Sequence, residues 1–191
     1  MFPIESFRAS LLKIVAILQQ LEIPFHLTGG VTSVAYGEPR LTQDIDIVLQ
    51  NESMSTRLVE FLAAIENSDF LFEPSAVKLA VAQKKMFQLF DMAESLKLDM
   101  YPREMIPGEL DRSEQAEIFA DLTLPIVSRM DAALSKLVWV SKGSHKSRRD
   151  FRQILLNLKE DEAMEVRYKA AELGMSDLMQ KLIEEPDEIQ D

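Results

Sequence analysis

Two short segments of this chain hold residue types that do chemistry only in company. The first is Asp44-Ile45-Asp46-Ile47. On a strand, alternate side chains point to one face, so Asp44 and Asp46 converge while Ile45 and Ile47 turn into the core. Neighbouring carboxylates repel, and ionisation becomes harder unless a cation sits between them. Magnesium suits that position: it takes hard oxygen ligands and shares them readily with phosphate. A pair of such ions can hold both the attacking and the leaving oxygen of a phosphoryl transfer. The second segment is Gly29-Gly30, directly after the apolar run Phe25–Thr28. A double glycine lets the backbone approach a phosphate closely, and a helix beginning there turns its N–H groups toward the anion. Thr28 or Thr32 could add a hydroxyl. Each segment alone is common. A strand, Gly-Gly, residues 31–43 and then a second strand bearing Asp-Ile-Asp-Ile form a far more specific combination.

These residues need a frame to hold them. Apolar spacing over residues 6–21 predicts an amphipathic helix that Pro24 ends. Phe25–Thr28 reads as a strand entering the glycine turn, Val31–Tyr36 as a helix, residues 37–40 as a loop and Asp44–Leu49 as a strand. Ser53–Ile65 and Ala76–Lys85 read as helices. Met86–Phe90 and Leu96–Tyr101 read as strands joined by a turn at Ala93–Ser95, and Leu122–Val127 as one more strand. Ser128 followed by Asp131 has capping-box spacing, which predicts a helix to Ser141. From Lys146 onward the pattern is helical, with stops at Gly174 and Pro186. The chain is thus α+β, with a mixed sheet and flanking helices over residues 1–127 and a C-terminal helical region, 128–191, packed on that core.

The run Leu27–Ile47 resembles the hallmark of the nucleotidyltransferase superfamily, the fold of DNA polymerase β: an apolar residue, Gly-Gly, a spacer and Asp-x-Asp framed by apolar residues. The stretch Tyr36-Gly-Glu-Pro-Arg40-Leu-Thr42 leading into Asp44 resembles a bacterial subgroup near the AbiEii-type toxin nucleotidyltransferases. The resemblance implies a minimal nucleotidyltransferase fold, with Mg²⁺ or Mn²⁺ as cofactor and a nucleoside triphosphate as donor. It also implies a third carboxylate on a neighbouring strand. Asp99, in Leu96-Lys-Leu-Asp-Met-Tyr101, is the preferred candidate and Asp91 its competitor. In such a site Asp44, Asp46 and Asp99 are metal ligands, Asp99 lies nearest the attacking hydroxyl, Gly29, Gly30 and Thr28 cradle phosphates, and Arg40 and Lys136 offset phosphate charge. Lys136 matches a family lysine. Arg148-Arg-Asp150-Phe151 resembles a second family motif, with arginine in place of its lysine and Gln153 where a second aspartate is expected.

The implied activity is transfer of a nucleoside monophosphate to an acceptor hydroxyl with release of pyrophosphate. The acceptor, whether small molecule, RNA end or protein, is left open. The alternative is a non-catalytic, regulatory nucleotide-binding member acting through a protein partner, as one half of a toxin–antitoxin pair would.

Composition narrows the remaining classes. The formal net charge of −11 disfavours an extended nucleic-acid footprint, which needs a basic face. Lys142, His145, Lys146, Arg148 and Arg149 form the one dense basic stretch, and the acidic end, from Glu184 on, reads as solvated surface. With no cysteine among 191 residues, disulfides, thiolate metal sites and cysteine nucleophiles are excluded. No membrane span and no secretory signal are read, so a cytoplasmic protein is expected. His26, Trp139 and the helical methionines are expected in the core.

Overall fold

Alternation of apolar and polar residues along four central strands decides which sheet face is buried and which carries the polar side chains. The computed structural model describes residues 4–37 and 44–185. In chain order the elements are α1 (Ile4–Gln20), β1 (Phe25–Thr28), α2 (Gly30–Tyr36), β2 (Asp44–Leu49), α3 (Asn51–Thr56), α4 (Leu58–Glu66), β3 (Phe70–Leu71), α5 (Pro74–Ala82), β4 (Phe87–Asp91), β5 (Leu96–Tyr101), β6 (Glu114–Phe119), β7 (Leu122–Ile126), α6 (Arg129–Ser141), α7 (Lys146–Leu156), α8 (Glu160–Glu172) and α9 (Ser176–Glu184). The chain divides into two compact units. One contains all the described strands with α1 and α3–α5; the other contains α6–α9 with the part of α2 from Thr32.

The sheet of the first unit runs β3-β4-β5-β2-β1-β7-β6. β2 pairs in parallel with β5, and β1 with β7, while the other neighbours are antiparallel, so the sheet is mixed. Leu27, Ile45, Ile47, Leu89, Leu98 and Met100 are all fully buried. By strand register they share one face, which α1 and α4 cover: Leu11, Ile14 and Leu18 of α1 are equally buried, and Phe61 of α4 meets Phe87 of β4 edge-on at 6.1 Å. Each such apolar side chain contributes about 1.5–3 kcal/mol by leaving water. The opposite face receives the alternate residues, Asp44, Asp46, Lys97, Asp99, Tyr101 and Gln88.

The helical unit is organised around α6. Ser128 caps it, accepting from the Asp131 N–H at 3.2 Å and donating to the Asp131 carboxylate at 2.8 Å, which satisfies one of the free donors at the helix start. Ala133, Leu134 and Leu137 of α6 are fully buried, as are Phe151 and Ile154 of α7. Gly174 ends α8 with φ +69°. There the Met175 N–H bonds to the Ala170 carbonyl at 2.8 Å and the Gly174 N–H to the Ala171 carbonyl at 3.0 Å, a Schellman arrangement that requires the left-handed residue. Among the described residues no helix is long and apolar enough to cross a membrane.

The structure departs from the sequence expectations in several places. Ser53–Ile65, expected as one helix, is broken into α3 and α4 at Arg57 (φ −97°, ψ 13°). The helix expected from Lys146 stops at Leu156, and α8 restarts after Lys159, whose N–H bonds to the Glu162 carboxylate at 2.8 Å. β3 and β6 had no counterpart in the expectations. Trp139 is not core: it is 37% exposed, and the Lys142 ammonium lies 5.1 Å from its ring centroid.

Candidate active site

Register across three neighbouring strands brings the acidic residues together. Asp46 of β2 lies beside Asp99 of β5, Asp44 lies beside Lys97, and Thr28 of β1 lies opposite Asp46. Because directly paired residues share a face, Thr28, Asp44, Asp46, Lys97 and Asp99 form one polar patch. Asp99 is the most enclosed of the carboxylates at 6% exposure, whereas Asp44 and Asp46 are half-buried.

Each carboxylate is held by named donors. One Asp99 oxygen accepts from the Gln88 amide of β4 at 2.9 Å, and the other from the Lys97 ammonium at 2.9 Å. Lys97 also stands 3.4 Å from the Asp44 carboxylate, so one ammonium bridges two acids. The phenol of Tyr101 donates to Asp46 at 3.2 Å. Burial raises the Tyr101 pKa, and the negative charges of Asp46, Asp99 and Asp44 raise it further. Tyr101 therefore remains a protonated donor and does not serve as a base. For Lys97, burial alone would favour the neutral amine, but the bond to Asp99 and the charges of Asp99 and Asp44 outweigh it and raise its pKa.

Gly29 closes the patch from below. Its φ of +67° is left-handed, and a Cβ built there would fall inside the Asp46 side chain, 2.7 Å from its Cβ and closer still to its carboxylate. The strand-to-helix turn thus brings bare backbone against Asp46, an approach open only to glycine. Gly30 follows as the first residue of α2.

The donor set suits a hard divalent cation: carboxylate oxygens on adjacent strands, with a cation, the Lys97 ammonium, already seated between two of them. Among the described residues no three carboxylate or imidazole side chains are gathered into a ready-made metal cage. Magnesium commonly draws part of its coordination from water and substrate phosphate, so one or two carboxylates from the protein are enough.

The remaining sequence candidates fall elsewhere. Asp91 is on the helix-covered face, fully buried, accepting from Ser10 at 2.7 Å, Lys13 at 3.1 Å and the N–H groups of Ala93 and Glu94. Its position on β4 is odd-numbered relative to Gln88, so the pleat turns it away from Asp99. Lys136 is no surface lysine: it is buried in α6 and bonded to Asp150 of α7 at 2.9 Å, with both side chains under 9% exposed. Arg40 lies outside the described residues. His26 is fully buried and bonded to Ser113 at 2.8 Å, as a core histidine. In the basic stretch, Arg148 pairs with Glu185 at 3.4 Å. Lys97, Gln88 and Tyr101 were not foreseen as part of the site. The Lys-x-Asp-x-Tyr alternation of β5 was a usable signal for two of them, since period two puts Lys97, Asp99 and Tyr101 on one face. Gln88 is known only from the pairing of β4.

The family model described as Nucleotidyl transferase AbiEii toxin, Type IV TA system, matches residues 10–171. No curated protein matches the chain. The fold is similar to the solution structure of the antibiotic-resistance factor ANT(2'')-Ia, with TM-score 0.60 and 15% identity over 97% of this chain and 100% of that one. It is also similar to a crystal structure of ANT(2'')-Ia in complex with adenylyl-2''-tobramycin, with TM-score 0.59 and 15% identity over 87% of this chain and 97% of that one. At such identity the likeness is one of fold, and the mixed sheet with flanking helices expected from the sequence is the fold observed.

Proposed function

We propose that this chain, which belongs to the AbiEii nucleotidyl transferase family, moves a nucleoside monophosphate from a nucleoside triphosphate to an acceptor hydroxyl, using Mg²⁺ or Mn²⁺ at Asp44, Asp46 and Asp99. The acceptor oxygen bonds to the α-phosphorus, the bond from that phosphorus to the bridging oxygen of the β-phosphate breaks, and pyrophosphate leaves. Asp99 takes the hydroxyl proton as the new bond forms. A divalent ion held by these carboxylates would neutralise charge on the reacting phosphate.

The chain's own residues do the positioning. Gln88 fixes the orientation of Asp99, and Tyr101 fixes that of Asp46. Gly29 and Gly30 present backbone to the phosphates, and Thr28 and Arg40 are proposed to contact the triphosphate, while Lys136, held by Asp150, is not part of this reading. The observation that carries this reading is the cross-strand alignment of Asp46 with Asp99, beside Asp44 and above a left-handed Gly29. The family's description as a toxin of a type IV system supports an acceptor inside the cell and a cytoplasmic antitoxin partner, both as proposals.

The test is transfer of label from each α-labelled nucleoside triphosphate into a cell extract, with Mg²⁺ or Mn²⁺. The wild type is expected to label one RNA, protein or small-molecule fraction. Asp44→Ala/Asp46→Ala is expected to lose this by about a thousandfold or more, with its melting temperature little changed. Equal labelling by both proteins would sink the assignment.

A further inference from the structure

The cation of this site is already present in the polypeptide. We propose that Lys97 is a tethered substitute for the divalent ion: its ammonium holds Asp44 and Asp99 in place in the ion-free protein and is displaced when the ion enters with triphosphate. This rests on the reading of the acidic face as a metal–triphosphate site.

Three observations carry it. The ammonium sits between two carboxylates of that face, 2.9 Å from Asp99 and 3.4 Å from Asp44. That position follows from sheet geometry, because Lys97 is two residues from Asp99 on its own strand and directly beside Asp44 on the next. Second, Asp99 is poorly held without it. Its side chain is 9% exposed, and among the described residues its other oxygen takes only the neutral amide of Gln88, so removing the ammonium leaves an enclosed carboxylate short of compensating charge. Third, Lys97 can leave. Its side chain is 39% exposed, so a rotation of its stem carries the charge into water at small cost.

A divalent ion and the ammonium cannot both occupy the gap, since unit charges a few ångströms apart repel strongly in a partly dry site. Lys97 therefore weakens binding of the bare ion. The several negative charges of a triphosphate offer the displaced ammonium a new partner, so ion and nucleotide should bind more cooperatively with Lys97 than without it. In this role Lys97 is a positioning residue. A purely structural lysine would contribute stability and leave ion affinity unchanged.

The experiment is Mn²⁺ titration of the full chain, reading free Mn²⁺ by its paramagnetic resonance signal, for wild type, Lys97→Met, Lys97→Arg and Asp46→Ala. Lys97→Met is expected to bind Mn²⁺ about tenfold tighter than wild type, and Lys97→Arg to stay close to wild type. In chelator Lys97→Met should melt below wild type, and saturating Mn²⁺ should close that gap. Added tripolyphosphate should tighten Mn²⁺ binding more in wild type than in Lys97→Met. Equal or weaker binding by Lys97→Met, alongside loss of binding in Asp46→Ala, overturns the role of Lys97 and leaves the site standing. Binding that survives in Asp46→Ala, or is absent from the wild type, overturns the site reading itself. Should Lys97→Met fail to fold, amine labelling of the wild type decides the matter. Mn²⁺ with tripolyphosphate should speed modification of Lys97 several-fold relative to the other lysines, and an unchanged rate refutes displacement.

Discussion

Asp91 and Asp99 lie on adjacent strands of one sheet, each bound by a lysine, yet they occupy opposite faces and are held in opposite ways. Asp91, under α1, is completely buried and accepts from a serine, a lysine and two backbone N–H groups. Ser10 of α1 and the two N–H groups of the turn after β4 hold it without Lys13, whose ammonium is shared with Asp69 at 3.4 Å. Asp99 has one amide and one ammonium, and that ammonium is shared with Asp44. A carboxylate saturated by fixed donors has no capacity left for a ligand. One held by a single solvent-reaching cation can exchange that cation for another. On the proposed function, the difference separates a stabilising acid from a reactive one more clearly than burial does, since both are less than one-tenth exposed.

The comparison breaks most visibly when Asp91 is removed. Asp91→Ala leaves Ser10 and two N–H groups without their acceptor and Lys13 with Asp69, and is expected to cost about 1–3 kcal/mol of stability, read by urea unfolding. Transfer per folded molecule should be unchanged, and loss of activity in a still-folded Asp91→Ala would erase the distinction between the faces. On the other face, Gly29→Ala is expected to lower transfer by about a hundredfold by displacing Asp46. Its left-handed backbone adds a stability cost of about 1–2 kcal/mol, separable by comparing melting with steady-state kinetics.

Acid provides a finer test. Burial alone would raise the Asp91 pKa, but the bonds from Ser10, Lys13 and Glu94 outweigh it and hold it below the ordinary 3.8. A depressed folded value means that Asp91 contributes stability above about pH 3.8, and that this is lost as pH falls through the lower folded value. Melting temperature followed from pH 6 to pH 2.5 should therefore fall less steeply at the acid end for Asp91→Asn than for wild type. The smallest effect is expected for Tyr101→Phe. It removes one charge-assisted hydrogen bond to the Asp46 carboxylate, worth about 1.5 kcal/mol, and should slow transfer about tenfold with no change in the pH profile between 6 and 9, because the phenol does not ionise there. A basic limb that disappears in Tyr101→Phe would make the tyrosine a proton carrier after all.

Much of this protein is determined by local sequence. Period-two alternation through Asp44–Leu49 and Leu96–Tyr101 identified both central strands, and a face-sharing Asp44/Asp46 pair follows from that period alone. The glycine pair, the Ser128 cap and the Gly174 stop were equally legible, because each meets a backbone demand set within a few residues. What could not be read depended on partners distant in the chain. β6 is an edge strand with no buried residue and only Ala116, Ile118 and Phe119 as apolar markers; its existence depends on pairing with β7. The breaks at Arg57 and after Leu156 carry no glycine or proline. Lys136 carried no sign that Asp150 would bury it. The preference for Asp99 over Asp91 could be read from Leu98 and Met100 beside it, but that the two lie on opposite faces of the sheet was decided by tertiary structure. Both residues sit on strands among apolar neighbours, and only the register of β4, β5 and β2 shows which pleat faces Asp46 and which faces α1. Periodicity tells which side chains share a face within a strand, whereas strand pairing and the covering helices decide which face is dry and which carries the acids.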